Sequence, residues 1–151
     1  MGMELLMRSE RGLCRSTHHA SLSISFSFDG EGAILLTIHP FVSRYAFDII
    51  TRSNSSFLAN KRLFATASTG IPDGIKCDLE GNVYSGCGDG LNVWSPGGSL
   101  IGKVSCPGGV ANFCFTKKGE IVLLNETRFW VISVSQRVQG ALLRNMGIEV
   151  D

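Results

Sequence analysis

The chain has 151 residues, with 14 Lys and Arg against 13 Asp and Glu and a formal net charge of +1. That balance excludes nucleic acid as the main partner, because neutralising phosphates takes a basic face. The 44% hydrophobic content excludes a disordered tail, and eighteen glycines with few charges point to a turn-rich β protein of one domain.

Residues 1–20 read as an irregular or weakly helical lead segment. They carry Arg8, Arg11, Arg15 and the pair His18-His19 without periodicity, and the histidines read as solvated. The apolar patch before Arg8 is too short for a secretory signal, and no apolar run approaches the ~18 residues of a membrane span. The five cysteines, Cys14, Cys77, Cys87, Cys106 and Cys114, form no CxxC pair. Cys77, Cys106 and Cys114 lie in apolar runs, so buried free thiols in a reducing, cytoplasmic setting are expected.

From Ser21 the period is two. Ser21-Leu22-Ser23-Ile24-Ser25-Phe26-Ser27-Phe28 alternates polar and apolar and predicts a half-buried strand. Asp29 to Gly32 predicts a hairpin turn, Ala33 to Ile38 a second strand and Arg44 to Ile50 a third. Ser53 to Ser56 predicts a turn, and Arg62 to Ala67 a fourth strand. The pattern recurs as Gly74 to Asp78, Val83 to Cys87, Leu91 to Trp94 and Ser99 to Val104. A third copy runs through Val110 to Phe115, Ile121 to Leu124 and Arg128 to Val134, with a last strand expected near Gly140 to Leu143. The turn glycines Gly81 and Gly119 lie about 40 residues apart, which is the length of a four-stranded propeller blade. Two to three blades cannot close a ring, so exposed sheet edges and self-association through them are expected.

The segment Gly70-Ile71-Pro72-Asp73-Gly74-Ile75 is the strongest candidate for chemistry. Proline fixes φ and glycine permits unusual angles, so Asp73 is held in a rigid turn before an apolar strand. A carboxylate there suits an oxygen-liking metal or a general base. Strand connectivity puts Asp89, Asn112, Asn125 and Glu126 on the Asp73 side. Asn112 reads either as a polar group lining the tunnel or as the cap of the turn leading into its strand. The others read as solvated loop residues. Gly86-Cys87-Gly88-Asp89-Gly90 precedes a strand, not a helix, and offers no phosphate cradle.

Ile71-Pro72-Asp73-Gly74-Ile75, Asp78 with Gly81-Asn82-Val83-Tyr84, Val93-Trp94-Ser95-Pro96 with Gly98 and Leu100-Ile101-Gly102, and Ala111 to Phe115 together resemble the C-terminal half of the SMP-30/gluconolactonase/LRE-like family, in its fungal gluconolactonase-like branch. The resemblance covers about residues 22 to 143. It implies an all-β fold, part of a six-bladed β-propeller, over residues 21–151. It implies a hydrolase that opens a sugar lactone with a divalent metal, calcium or zinc, in the central tunnel. Among the implied ligands, the aspartate carries over to Asp73, which would bind the metal and act catalytically, while Asn112 would bind substrate. The implied metal-binding asparagine should precede the strand at Ile24, where this chain has Leu22-Ser23, and the implied glutamate has no counterpart here. These gaps imply a chain without activity on its own. The alternative is a non-catalytic β-sheet interaction module.

Overall fold

The computed structural model describes residues 7–11, 26–28, 33–37, 43–116 and 119–148. They form three four-stranded antiparallel sheets and one short helix. The first sheet runs β2 (Phe26–Phe28), β3 (Ala33–Thr37), β4 (Ser43–Arg52) and β5 (Ser55–Thr66). The second runs β6 (Ile75–Cys77), β7 (Val83–Cys87), β8 (Gly90–Trp94) and β9 (Leu100–Ser105). The third contains β10 (Asn112–Phe115), β11 (Glu120–Leu124) and β12 (Arg128–Ser133). Its fourth strand is β1 (Met7–Arg11), which pairs with β12 from Met7 opposite Ile132 to Arg11 opposite Arg128.

These are blades. The first strands adjoin around a common axis, β2 against β6 and β6 against β10. Each blade meanders outward in chain order, apart from the strand that the chain start contributes to the third. The architecture is therefore three four-stranded blades of a β-propeller, as the repeat of about 40 residues predicts.

Period-two patterning decides what each blade buries. In β10, Phe113 and Phe115 are buried while Asn112 and Cys114 are exposed. Their register partners Leu123 and Ile121 share the buried face, with Ile132 one strand further out. This face packs on Tyr84, Leu91 and Val104 of the second blade, with Phe115 edge-on to Tyr84 at 5.1 Å between ring centroids. The other face of the second blade carries Ile75, Cys77, Val83 and Trp94 and packs on Ala46, Ala65 and Phe64 of the first. All five residues of β7 are buried, because this middle blade is covered on both faces.

The turns follow the repeat. Gly81 and Gly119 occupy equivalent places with φ of 78° and 71°, a left-handed conformation that suits glycine. In the second blade, Asp78 organises the turn. Its Oδ1 accepts the amides of Glu80 and Asn82, and its Oδ2 accepts the Asn82 side chain and the Tyr84 hydroxyl at 3.1 Å. The β4–β5 hairpin turns at Ser53 and Asn54, with φ of 49° and 64°. Its 10- and 12-residue strands account for the longer first repeat.

Two expectations are corrected. The lead segment is not wholly irregular, since Met7–Arg11 is a strand; pairing with a partner some 120 residues away leaves no local periodic signal. The region near Gly140 to Leu143 is not a strand but α1 (Ala141–Asn145). Its Ala, Leu and Arg are strong helix formers, and β1 already holds the fourth place in that sheet. A single antiparallel bridge joins Gly140 to Asp78. The expected turn at Asp29 to Gly32, the Leu22-Ser23 position, Cys14 and the three histidines lie outside the described residues.

Candidate functional site

Asp73 sits in the turn that leads into β6, where the second blade meets its neighbours. Pro72 is fully buried beneath it. The Asp73 amide donates to the Gly86 carbonyl at 2.8 Å, and the Gly74 amide donates across to the Ala111 carbonyl of the third blade at 2.9 Å. The Gly86 amide returns a bond to the Gly74 carbonyl. The backbone around Asp73 is thus tied to β7 on one side and to the approach of β10 on the other. A side chain at Gly74 would collide with the Asn112 carboxamide, so this close approach requires glycine.

Arg44 of β4 reaches the same turn from the first blade. It is fully buried; its NH2 donates to the Asp73 carbonyl at 2.9 Å and also to Ser85 Oγ. Burial lowers its pKa from the ordinary value to about 10, and the charges of Cys87 and Asp73 oppose that shift. Among the described residues, its Nε and Nη1 have no hydrogen-bond partner. The Cys87 thiol beside it, which donates to Ser85, is pushed up by burial, while its hydrogen bonding with Ser85, the Arg44 charge and Asn92 pull the other way. Nothing in the sequence pattern marks Arg44 as buried, because it opens a strand after a polar residue.

Asn112 lies next to Gly74. Its Oδ1 accepts the Phe113 amide at 2.8 Å and the Lys76 ammonium at 3.3 Å. Lys76, on β6, is half-buried over the Phe113 ring, and burial lowers its pKa, with Cys114 acting in the opposite direction. The structure therefore brings Asp73 and Asn112 to one place and adds two cationic side chains, Arg44 and Lys76, that sequence reasoning missed. For Lys76 a signal existed: it is the one charged residue inside an otherwise apolar three-residue strand.

The loop candidates do other work. Asp89 pairs with Lys103, and this partner with other hydrogen bonds holds its carboxyl below the usual range against burial, which acts the other way as the largest influence. Asn125 accepts the amides of Thr127 and Arg128 and donates to the Pro107 carbonyl, which is a turn cap. A cleft of about 310 Å³ beside it is lined by Pro107, Gly108 and residues 125–128, away from Asp73. Of the cysteines, Cys77 and Cys106 are buried as expected and Cys87 is buried too, but Cys114 is exposed. Alternation in β10 turns it to the face opposite Phe113 and Phe115.

The residues present do not by themselves fit a divalent cation. No cluster of three His, Cys, Asp or Glu exists among the described residues. The Asn112 oxygen already accepts an ammonium group, and a guanidinium stands beside Asp73. A hard cation wants six or more oxygens. Among the described residues, no helix is long and apolar enough to cross a membrane.

Comparison with known proteins places these features. The sequence profile of the SMP-30/Gluconolactonase/LRE-like region matches residues 21–124. A gluconolactonase of Zymomonas mobilis is 30% identical over 67 residues, 43% of this chain and 19% of that protein. A gluconolactonase structure from Xanthomonas campestris superposes with a TM-score of 0.64 at 26% identity, over 74% of this chain and 37% of its own. A calcium-binding protein from Agrobacterium tumefaciens, regucalcin, superposes with a TM-score of 0.59 at 18% identity, over 75% of this chain and 46% of its own. The chain spans less than half the length of each of these relatives.

Proposed function

The chain belongs to the SMP-30/gluconolactonase/LRE-like family, and from that premise we propose that it is a portion of a lactonase-type propeller, one that opens a sugar lactone only when its tunnel is completed. The carrying observation is the Asp73 turn. Hydrogen bonds to Gly86 and from Arg44 hold its backbone, and the adjacent Gly74 is pinned to the third blade next to Asn112. Such over-determination suits a group that must point one way. In this reading the Asp73 carboxylate orients or deprotonates the water that attacks the lactone carbonyl, and the Asn112 carboxamide contacts the sugar hydroxyls. Calcium or zinc would need further oxygens from outside these three blades, so no step is assigned to a metal here.

A second reading is favoured by one observation, the apolar residues left exposed at both ends of the arc. It makes the chain a non-catalytic interaction module.

Hydrolysis of gluconolactone, followed by acid release in the presence of calcium, zinc or manganese and sorted by size-exclusion fraction, separates the two. The lactonase reading expects a silent monomer and metal-dependent turnover in an assembled fraction, abolished by Asp73→Ala. Turnover that survives Asp73→Ala, or an assembled fraction that is silent under every metal, overturns it.

A further inference from the structure

A positive charge is left over beside Asn112. Among the described residues, the ion pairs are Arg62 with Asp48 and Lys103 with Asp89. Lys76 takes part in neither. Its ammonium meets two uncharged groups instead, Asn112 Oδ1 at 3.3 Å and the Phe113 ring at 5.3 Å from its centroid. Half-burying a cation without a counter-ion is unfavourable, and burial accordingly lowers the Lys76 pKa. Arg44, the other cation of this neighbourhood, lies within reach of the Asp73 charge. Lys76 has no such carboxylate among the described residues.

The strand arrangement puts this charge on the tunnel wall. Ile75 and Cys77 pack on the first blade, so alternation turns Lys76 towards the third. Its ammonium passes the Phe113 ring and reaches Asn112, whose side chain lies on the opposite face of β10. β10 is an edge strand of its sheet, and the innermost one. A side chain that touches groups on both faces of an edge strand runs along its free edge, and in a propeller the free edge of the innermost strand lines the channel. Asn112 in turn lies against Gly74, the residue after Asp73.

The donor inventory decides the ligand. An ammonium has three N–H donors and no acceptor, and Asn112 takes one of them. Asn112 Oδ1 accepts both the Phe113 amide and Lys76, which fixes the oxygen on that side and leaves the carboxamide N–H groups facing away. The corner thus offers donors alone, with one positive charge among them. The hydroxyls of a neutral lactone want acceptors as well as donors and do nothing for the charge. An oxyanion answers both.

We propose that Lys76 and Asn112 form a subsite for an acid group, so that the lactone taken by this propeller carries a carboxylate or a phosphate besides its ring. The ammonium holds the acid oxygens, and the Asn112 carboxamide donates to the hydroxyl beside them. The substrate class rests on the lactonase reading; the subsite does not, since it is read from the donors.

Titrations of the 151-residue chain, followed by amide NMR, test the subsite without turnover. The probes are the monolactone of glucaric acid, which keeps a free carboxylate, glucose phosphate, and the neutral lactone of galactonic acid. The acid-bearing lactone should bind at least ~10-fold more tightly than the neutral one, because a charge-assisted hydrogen bond replaces a neutral one. It should shift the Asn112 carboxamide and Phe113 amide signals. Lys76→Met, which keeps the stem over Phe113, should erase the preference, and Lys76→Arg should retain most of it. Whichever acid binds more tightly identifies the group. Equal binding of charged and neutral lactones, no binding of either acid, or a preference that survives Lys76→Met overturns the proposal. Shifts centred away from Asn112 and Phe113 in the parent chain overturn it as well, with no variant needed. Acid-selective binding without turnover in any fraction leaves the subsite standing while the lactonase reading falls. Turnover of gluconolactone without acid selectivity does the reverse. Circular dichroism melts establish that both variants are folded.

Discussion

Arg44 allows a quantitative test of how the Asp73 turn is held. Its guanidinium is fully buried between the first and second blades, and burial lowers its pKa from the ordinary value to about 10. At 1.36 kcal/mol per unit, keeping it charged there costs about 3 kcal/mol. Against this stand its hydrogen bonds to the Asp73 carbonyl and Ser85 Oγ, each worth about 1.5–3 kcal/mol for a charged donor. Its Nε and Nη1 find no partner among the described residues. The terms nearly cancel. Arg44→Met, which keeps a long stem and removes the charge, should therefore leave global stability within about 2 kcal/mol of the parent in urea unfolding. The local consequence should be larger. Without its donor, the Asp73 turn should open more readily, and the Asp73 and Gly74 amides should exchange hydrogen at least ~10-fold faster, a tenfold change being about 1.4 kcal/mol. A global loss above about 4 kcal/mol would refute the reasoning, because it is the signature of breaking a compensated buried pair. Unchanged exchange at Asp73 would show that the guanidinium does not anchor the turn.

Two further outcomes follow from the same interior. Burial first, and then the Asp78 carboxylate, raise the Tyr84 phenol pKa. The folded state therefore holds that proton more tightly than the unfolded chain, so its stabilising effect is whole below about pH 10 and is lost as pH rises above it. Urea titrations of the parent should fall more steeply above pH 10 than those of Tyr84→Phe, and coincident curves would contradict the shift. Gly86→Ala should destabilise by about 3 kcal/mol in thermal melts, because its methyl would strike the Val110 carbonyl, a backbone atom that cannot swing away. A loss below ~0.5 kcal/mol would mean that the second and third blades have slack at the site.

Much of the blade architecture is legible from pattern alone. Val83 to Cys87 is a strand with the bounds that its pattern suggests, and Gly81 and Gly119 mark equivalent left-handed turns. The rigid turn at Asp73 is legible because proline and glycine act locally, through their own dihedral angles. Alternation also tells which residues share a face, as with Phe113 and Phe115 against Asn112 and Cys114. It does not tell which face another blade will cover. That is why Cys114, expected to be buried, is exposed at the open end of the arc. It is also why Arg44 is buried, where one blade lies over another.

Sequence by itself thus determined the period, the turns, the family and the position of one carboxylate. Tertiary structure decided that a strand from the chain start completes the third blade, since β pairing is non-local and leaves no mark in the segment that joins. It decided that Arg44 and Lys76 flank the Asp73 and Asn112 neighbourhood, because they arrive from two different strands. It also decided that Leu63, Leu124 and Phe129 stay exposed, a property of the arc that no single strand carries.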